Sequence, residues 1–420
     1  MGMTIAEKIL AAHADRESVR PGEYLWCRVD AVGGLPLPVF KRLGVTALHD
    51  PSRVYVVDDH FAPSPTIDRA NFMVRRRQAV ESFGIENFFE YGRHGIMHQV
   101  FAENGMFAPG ELVAMRDSHS VSAGVFNACV TSVNADAAFG HILGENWFRV
   151  PTSQKIVISG RWPPANDFVV GKDLVMELAG RYGTDMALYE SMEVTGPAVR
   201  EMSLSSRWTI ANMSVELGAK FCLFEYDAVT AAFLEPRVNR AFEPVTADPD
   251  ATYSRVVELD TADVEPLVAC PHDPGNIRTA RSLSRERIRI DQAFIGSCTN
   301  GRLEDYEMAA RVLRGRRVHP KVRLLCSPAS QEVWRQVLDA GLWQVFSDAG
   351  ANIEHSSCGP CFGGHMGVLG DGEVSISSSN RNFQGRQGSA LASVYLANAA
   401  TVAASAVAGY IVDPRELAGG

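Results

Sequence analysis

The sequence predicts an α/β protein in which helices connect mainly parallel strands. In the last third of the chain, strand-like segments at 288–295 and 322–326 alternate with helix-like segments at 304–314 and 331–340. This alternation is typical of parallel sheets with crossover helices. The chain has 420 residues, which is too long for one hydrophobic core, so we expect two or three domains.

The earlier elements follow the same pattern and indicate where the domains end. Apolar patterning predicts strands at 25–30, 54–57 and 155–160, and helices at 4–14, 37–43, 69–83 and 171–182. The segment 147–151 closes the first block, and a turn-rich linker at 271–276 precedes the last one. We therefore expect three α/β domains at 1–152, 153–275 and 276–420.

Composition indicates a soluble globular protein and excludes several classes. The formal net charge is −9, so the sequence lacks the excess of basic residues that is typical of proteins that bind nucleic acid. The short run Arg75-Arg76-Arg77 is typical of one solvated helix face. Eight cysteines are too sparse for a secreted disulfide framework. Four of them stand in apolar surroundings and are predicted to be core thiols: Cys27, Cys129, Cys222 and Cys326.

The two ends of the chain predict neither an export signal nor a membrane anchor. Residues 1–19 lack a basic start followed by an apolar core, so no signal peptide is expected and a cytoplasmic location is predicted. Residues 387–412 carry no charge and are long enough to span a membrane. They are rich in Ala, Ser and Thr, which suit close-packed buried helices, so this segment is predicted to lie in the core.

Three further cysteines define the stretch with the strongest chemical signal. Cys298 follows a predicted strand, and Cys358 and Cys361 stand in Ser-Cys-Gly-Pro-Cys. All three occupy turns rich in Gly, Ser and Pro, although any one of them alone is compatible with a buried core thiol. Thiolates hold iron–sulfur clusters, normally four at a time, and three leave one metal position open for Lewis-acid catalysis. From this pattern alone, a zinc site completed by His355 or His365 is an equal alternative.

Three histidines each fall near a carboxylate in the first predicted domain. His60 follows Asp59 at the end of a predicted strand, and His98 precedes the motif Asp117-Ser118-His119. Pairing with a carboxylate fixes the tautomer of an imidazole and raises its basicity, which suits proton transfer to or from a leaving hydroxyl. A single histidine is more often a core residue than a catalyst, so the residues alone leave both interpretations open.

Together these motifs resemble the aconitase family, most closely the large subunits of its two-subunit isopropylmalate isomerases. The resemblance is carried by the motifs at 296–300, 357–361 and 379–386 and by the acid–histidine segments, and it extends through almost the whole chain. It implies three aconitase-like α/β domains with mainly parallel sheets around a central [4Fe–4S] cluster. The implied cluster ligands are Cys298, Cys358 and Cys361.

The resemblance also implies roles for individual residues. The catalytic pairs are Asp59 with His60, Asp117 with His98, and His119 with Glu216. The implied substrate-binding residues are Asp30, Ser118, Arg381 and Arg386, and the guanidinium fork of an arginine suits a carboxylate. The implied cluster environment consists of Asn212, Asn300 and Asn380. Without the resemblance, Asn212 and Glu216 are typical of ordinary helix polarity.

The activity implied by the resemblance is that of an iron–sulfur hydro-lyase. It dehydrates and rehydrates a hydroxy di- or tricarboxylate, such as 3-isopropylmalate or a related 2-alkylmalate. Single-chain relatives carry a fourth, swivelling domain with a serine base, so a separate small subunit is expected to supply it here. The alternatives are a homoaconitase- or methylmalate-type hydratase with another substrate, and a non-catalytic, cluster-sensing binding protein.

Three segments depart from the family pattern. Residues 124–127 read Gly-Val-Phe-Asn in place of Gly-Ala-Phe-Gly, and Ser356-Ser357 replaces Pro-Gly. Val29-Asp30 stands where His-Asp or Gln-Asp is usual. A site built to bond a polar group rejects analogues that lack it, so these replacements bear on the side group of the substrate and not on the cluster or the arginine pair.

Overall fold

A computed structural model describes residues 2–418; Met1 and Gly419-Gly420, the outermost residues of the first and third predicted domains, lie outside the described residues. The strands in this part of the chain are β1 (Tyr24–Arg28), β2 (Ala31–Gly33), β3 (Val54–Val57), β4 (Asn87–Phe89), β5 (Leu112–Met115), β6 (Cys129–Ser132), β7 (Glu145–Arg149), β8 (Ser153–Ser159), β9 (Ser191–Thr195), β10 (Phe221–Phe224), β11 (Arg255–Asp260), β12 (Leu267–Ala269), β13 (Ile277–Thr279), β14 (Gln292–Gly296), β15 (Arg323–Ser327), β16 (Asn352–Ile353), β17 (Val374–Ser377) and β18 (Ser393–Ala397).

The helices confirm the predicted pattern, and the ends differ from the prediction by only a few residues. They are α1 (Ile5–His13), α2 (Leu37–Leu43), α3 (Ile67–Phe83), α4 (Met97–Glu103), α5 (Ala137–Leu143), α6 (Gly171–Tyr182), α7 (Pro197–Glu201), α8 (Leu204–Met213), α9 (Ala228–Leu234), α10 (Ala280–Ser284), α11 (Leu303–Leu313), α12 (Gln331–Asp339), α13 (Leu342–Ala349), α14 (Ala399–Ala408) and α15 (Arg415–Ala418).

The first sheet has five parallel strands in the order β4-β3-β2-β5-β6. Its strands are short apolar runs such as Val54–Val57, which suit a sheet covered on both faces. The strand order reverses between β2 and β5, and ligands bind beside such a reversal at the carboxyl ends of the strands. The segments with Asp59 and Asp117 follow β3 and β5 and therefore lie at this end of the sheet.

The second sheet is parallel, with the order β10-β9-β8-β11. Helices α6 and α8 pack against each other beside it. The contact is close because a Cβ atom at Gly171 would lie 2.1 Å from the carbonyl oxygen of Ser206. Helix α8 contains Asn212, and the 3-10 turn that follows it, Ser214–Leu217, contains Glu216.

The third sheet has the order β13-β12-β18-β17-β14-β15-β16. Strands β14 to β18 run parallel, whereas β12 is antiparallel to both of its neighbours. Its strand order reverses between β14 and β17, so the turns with Cys298 and Asn380 lie side by side. Strand β14 begins later than predicted because Ile288 and Arg289 pair with Ile411 and Tyr410.

These three sheets confirm the predicted α/β class with mainly parallel sheets. A separate antiparallel ribbon joins β1 to β7. Residues 387–412 contribute β18 and the buried helix α14, which confirms that this segment belongs to the core. Within the described residues, no helix is both long and apolar enough to cross a membrane. The domain boundaries near 152 and 275 remain predictions.

Candidate active site

The first predicted cluster cysteine stands in a tight turn after β14. Gly296 is required there because a Cβ atom would lie 2.3 Å from the carbonyl oxygen of Ser327. Ser297 then adopts a positive φ of 70°, which turns the chain sharply. Its hydroxyl oxygen accepts the backbone N–H of Thr299 at 3.2 Å. The turn holds the Cys298 thiol in a buried position.

The second and third cysteines stand in the loop after β16. The backbone N–H of Cys361 donates to the carbonyl of Cys358 at 3.2 Å, which closes the turn. A Cβ atom at Gly359, whose φ is +56°, would lie 2.7 Å from the Phe294 ring. The thiols of Cys298, Cys358 and Cys361 belong to one small buried cluster of side chains, together with Ile96 and Ala329.

Amide side chains surround the sulfur atom of Cys298. The Nδ2 atoms of Asn212 and Asn380 each lie 3.3 Å from it. Thr299 connects the two amides, because its hydroxyl donates to Asn212 Oδ1 at 2.8 Å and lies 2.9 Å from Asn380 Nδ2. Asn380 Oδ1 also accepts from the Cys361 thiol at 3.6 Å. N–H donors aimed at sulfur favour the thiolate form, as expected around a metal centre.

The chemistry of this donor set fits an iron–sulfur cluster. The three cysteines form no disulfide, and burial raises the pKa of Cys298 to about 12 and that of Cys358 well above its usual range. Thiolates are therefore stable here only beside compensating positive charge, which metal ions supply.

A single zinc ion fits the same residues less well. Tetrahedral zinc requires ligand atoms about 4 Å apart. Among residues 2–418, the one set of three such atoms within 4.8 Å of one another belongs to Asp59, His60 and Asp117, not to the thiols. The proposed fourth zinc ligands are engaged elsewhere: His355 Nε2 lies 2.8 Å from the carbonyl of Ala62, and His365 Nε2 contacts Pro63.

The first acid–histidine pair faces the cysteine loop. Asp59 Oδ2 lies 2.8 Å from His60 Nδ1, and the His60 ring lies 5.2 Å from the ring of Phe362, next to Cys361. Burial alone would lower the pKa of His60, but the Asp59 carboxylate outweighs burial and raises that pKa to about 9. His60 is therefore a cation at neutral pH, and its Nε2 atom has no hydrogen-bond partner among the described residues.

The second pair is looser. His98 Nε2 lies 3.8 Å from Asp117 Oδ1, which is too long for a hydrogen bond. The other ring nitrogen, Nδ1, lies 2.9 Å from the hydroxyl of Ser122. Burial lowers the pKa of His98 to about 4, and the attraction of Asp117 offsets this shift only in part. His98 is therefore neutral at physiological pH and is a hydrogen-bonding group, not a proton-donating cation.

The third pair extends to one of the predicted substrate arginines. Glu216 Oε1 lies 2.9 Å from His119 Nε2 and 2.7 Å from Arg381 Nε. Burial alone would raise the pKa of Glu216, but His119 and then Arg381 hold it below its usual range. Arg381 also donates to the hydroxyl of Ser118 at 3.2 Å. These contacts join the turn after β17 to the segments after β5 and α8.

The second predicted arginine has a different environment. Arg386 is half-buried, and its Nε atom is buried without a hydrogen-bond partner among the described residues. Within that part of the chain, no carboxylate pairs with it. A buried guanidinium N–H without an acceptor is costly, so Arg386 is suited to accept an anionic ligand.

Two predicted site residues have other contacts. Asp30 pairs with His13 at 2.7 Å and accepts the backbone N–H of Leu112, so the structure does not bring it together with the other candidates. Asn300 donates to Asp305 at 2.8 Å, at the start of α11, and not to a cysteine sulfur.

Sequence reasoning did not identify Ser122 and Thr299 as site residues. Both are small hydroxyl residues whose role depends on contacts with distant segments. The signal available for each was its position beside a motif already singled out, since Thr299 follows Cys298 directly and Ser122 lies three residues after His119.

Known proteins similar to this chain are consistent with the geometry. The sequence matches the Aconitase family (aconitate hydratase) over residues 56–409. The 3-isopropylmalate dehydratase large subunit of Acetivibrio thermocellus is 42% identical over 99% of this chain and 100% of its own length. The proteins of that name from Caldanaerobacter subterraneus and, as large subunit 1, from Pyrococcus abyssi are each 43% identical with the same coverage.

A solved structure with a similar fold is the crystal structure of Thermococcus kodakaraensis aconitase X in its holo form. It matches with a TM-score of 0.51 over 90% of this chain and 88% of that chain, at 11% sequence identity. At this identity the match shows a likeness of fold alone.

Proposed function

The chain belongs to the aconitase family, and from this membership we propose that it is the catalytic large subunit of an iron–sulfur hydro-lyase acting on 3-isopropylmalate or a related 2-alkylmalate. Relatives at 42% and 43% identity over nearly full length carry the name of that subunit. The observation that carries the proposal is the arrangement of three buried thiols, three acid–histidine pairs and two arginines in the turns that follow parallel strands of the first and third sheets and the turn that follows α8.

The cofactor of this enzyme is an iron–sulfur cluster, which we propose to be of the [4Fe–4S] type. Cys298, Cys358 and Cys361 would hold it, with Asn212 and Asn380 donating to the sulfur of Cys298. When bound by three thiolates, such a cluster supplies an iron with an open position, which is a Lewis acid toward hydroxyl and carboxylate oxygens.

The arginines would bind the carboxylates of the substrate. No carboxylate among the described residues pairs with Arg386, and its planar fork can form two parallel hydrogen bonds to one carboxylate of the substrate. Arg381 is already oriented by Glu216 and Ser118, so little conformational entropy is lost when it contacts the substrate. Together they would fix the molecule with its hydroxyl toward His60.

His60 is the proposed proton donor for the departing hydroxyl. Asp59 holds its Nδ1 atom and keeps the ring protonated at neutral pH, so the proton to be transferred is on Nε2. A positioned acid of this kind contributes about 10²–10⁴-fold to the rate. His98, which is neutral, and His119, which is bound to Glu216, would orient the reacting groups by hydrogen bonds.

A small subunit is the proposed partner, because the named relatives are large subunits. We propose that it supplies the swivelling domain and the base that removes the carbon-bound proton. Its docking surface would be the rim of the site near His60, His119, Cys358 and Arg386.

The test is an anaerobic assay of the cluster-reconstituted chain with its small subunit. A panel of 2-alkylmalates, citrate homologues and their dehydrated forms would be followed by the absorbance of the unsaturated product. We expect turnover with 3-isopropylmalate or a close homologue. Binding of a cluster without turnover of any of these acids would overturn the proposal in favour of a binding protein.

A further inference from the structure

The first turn of helix α6 contains a lysine that is completely buried. Lys172 is the second residue of that helix and has no exposed surface. The tight packing of α6 on α8 at Gly171 fixes the start of the helix. A fully buried lysine is rare unless its charge is paired. The mechanism above makes no use of this residue.

The ammonium group of Lys172 reaches across to the third sheet. Its Nζ atom donates to the carbonyl oxygens of Ser378 and Ser379 at 2.7 and 2.6 Å. These two residues follow β17 and directly precede Asn380 and Arg381. The lysine therefore holds the backbone from which one residue reaches the Cys298 sulfur and the next reaches Glu216.

The positive charge of Lys172 has no carboxylate partner in the part of the chain that the structure describes. Within the described residues, no carboxylate oxygen lies within 4.0 Å of its Nζ atom. The adjacent Asp173 is engaged by the backbone N–H groups of Val170 and Leu267 and by Asn398. The first turn of a helix is also unfavourable for a cation because of the helix dipole.

We expect the cysteines, as thiolates, to supply the negative charge that compensates the buried ammonium group of Lys172. Burial lowers the pKa of Lys172 to about 7, while negative charge on Asp173, Asp305, Cys361 and Cys298 acts against that shift. Removing an ion from water is costly unless an opposite charge is close. Three thiolates around a cluster, together with a carboxylate substrate, place that charge on the neighbouring turns.

We propose that Lys172 is a positioning residue that supplies the buried counter-charge of the cluster site and fixes the turn bearing Asn380 and Arg381. This inference rests on the proposed function, because it requires a cluster on the three cysteines. It predicts two separable effects. The charge makes the cluster easier to reduce, and the two hydrogen bonds hold Arg381 in place for the substrate.

Three substitutions separate charge from hydrogen bonding. Lys172→Met removes both, Lys172→Gln keeps an N–H donor without the charge, and Lys172→Arg keeps the charge. The matched control is Lys220→Met, a half-buried lysine that directly precedes β10 and packs over the rings of Phe148 and Tyr189. The iron-free proteins would be melted first, so that loss of fold is recognised before the cluster is installed.

The readouts are the midpoint potential and visible spectrum of the reconstituted cluster, and kcat and KM of the complete two-subunit enzyme. We expect Lys172→Met and Lys172→Gln to shift the potential to more negative values, since loss of a buried cation disfavours addition of an electron. Lys172→Arg and Lys220→Met should keep the wild-type potential. Lys172→Met should also raise KM by about tenfold, because Arg381 is then no longer held in place and one charge-assisted hydrogen bond to the substrate is lost.

Cluster content and midpoint potential in the variants either support or overturn the proposed role of Lys172. If Lys172→Met folds without iron but does not retain a cluster, a full cluster in Lys172→Arg supports the proposal. Unchanged potentials in the Met and Gln variants, or equal shifts in Lys220→Met, would overturn it. A wild-type protein that binds no cluster would instead refute the proposed function itself, so the two failures are distinguishable.

Discussion

Arg381 Nε lies 2.7 Å from Glu216 Oε1, so a predicted substrate-binding arginine is ion-paired with a predicted catalytic glutamate. The same oxygen lies 2.9 Å from His119 Nε2. All three side chains are largely buried, where water screens the attraction between opposite charges less than it does at the surface. The pair therefore sets the direction of the Arg381 guanidinium group before any ligand binds. Arg386 differs, because no carboxylate among the described residues pairs with it.

Replacing Arg381 by lysine should impair catalysis far more than folding. A lysine keeps the charge but cannot contact Glu216, Ser118 and a carboxylate at once, because it lacks the planar fork. We expect kcat/KM to fall by about ten- to a hundredfold, which corresponds to one or two lost charge-assisted hydrogen bonds. The melting temperature of the iron-free protein should change little.

The matched control for this substitution is Arg285→Lys, an exposed arginine after α10. It should leave both kinetics and melting unchanged. Near-normal kinetics in Arg381→Lys would show that Arg381 is only a structural cation.

The alkaline limb of the pH profile should report His60. Its pKa is raised to about 9 by Asp59, against burial. Because the proposed acid must be protonated, kcat/KM should stay high at neutral pH and fall as the pH rises through about 9. In Asp59→Asn the opposing charge is lost while burial remains, so this limb should move to lower pH by roughly two units.

The same pair should affect stability with a defined sign. A histidine whose pKa rises on folding stabilises the protein fully below its unfolded value of 6.5, and that contribution is lost as the pH rises through about 9. Asp59→Asn should therefore narrow the difference in melting temperature between pH 6 and pH 9.5. The side chain of His60 is 37% exposed, so solvent screening keeps this effect on stability small.

The kinetic profile decides the assignment of the acid. If the alkaline limb of kcat/KM is unchanged in Asp59→Asn, His60 is excluded as the proton donor.

The cysteines should divide into two classes by metal content. Anaerobically prepared protein should contain about four irons and four sulfides per chain. Replacing Cys298, Cys358 or Cys361 by serine should abolish or degrade the cluster, whereas Cys129→Ala, at a buried thiol in β6, should leave it intact. Stoichiometric zinc without sulfide would contradict the cluster assignment.

Local patterns predicted the elements of this fold well. The helix at 171–182 and the strand at 54–57 have the predicted bounds because their apolar patterning and flanking turn residues act locally. Such local patterns could not predict the order in which the strands pair within each sheet. The reversal between β14 and β17 depends on which distant strands share a sheet, and no local pattern encodes that choice.

In the site too, short motifs could be recognised in the sequence, whereas contacts between distant segments could not. The cysteine motifs and the acid–histidine segments are visible as short sequences, and His119 with Glu216 and Asp59 with His60 are paired as predicted. The predicted substrate role of Asp30 rested on its place near the first strand, but its partner is His13, on α1. Lys172 carried no signal at all, since its two acceptors are backbone carbonyls more than two hundred residues away.

The last prediction is that this chain alone turns over slowly or not at all, and that a small subunit restores activity. The described residues supply proposed cluster ligands, a proton donor in His60 and a carboxylate clamp, whereas the base for the carbon-bound proton is assigned to the partner. Loss of one acid–base group costs about 10²–10⁴-fold in rate. An uncovered site also admits water, which weakens its electrostatic interactions.

The experiment compares the reconstituted chain with and without the small subunit and adds one variant at the rim. Phe383 stands between Arg381 and Arg386 in the sequence and is 46% exposed, so its ring is available for contact with a partner beside the proposed substrate-binding residues. Phe383→Asp should weaken binding of the small subunit and raise the amount needed for half-maximal activity, whereas Phe139→Asp, at an exposed ring on α5, should not. Full activity of the isolated chain would contradict the two-subunit mechanism, because the base would then have to lie within these 420 residues.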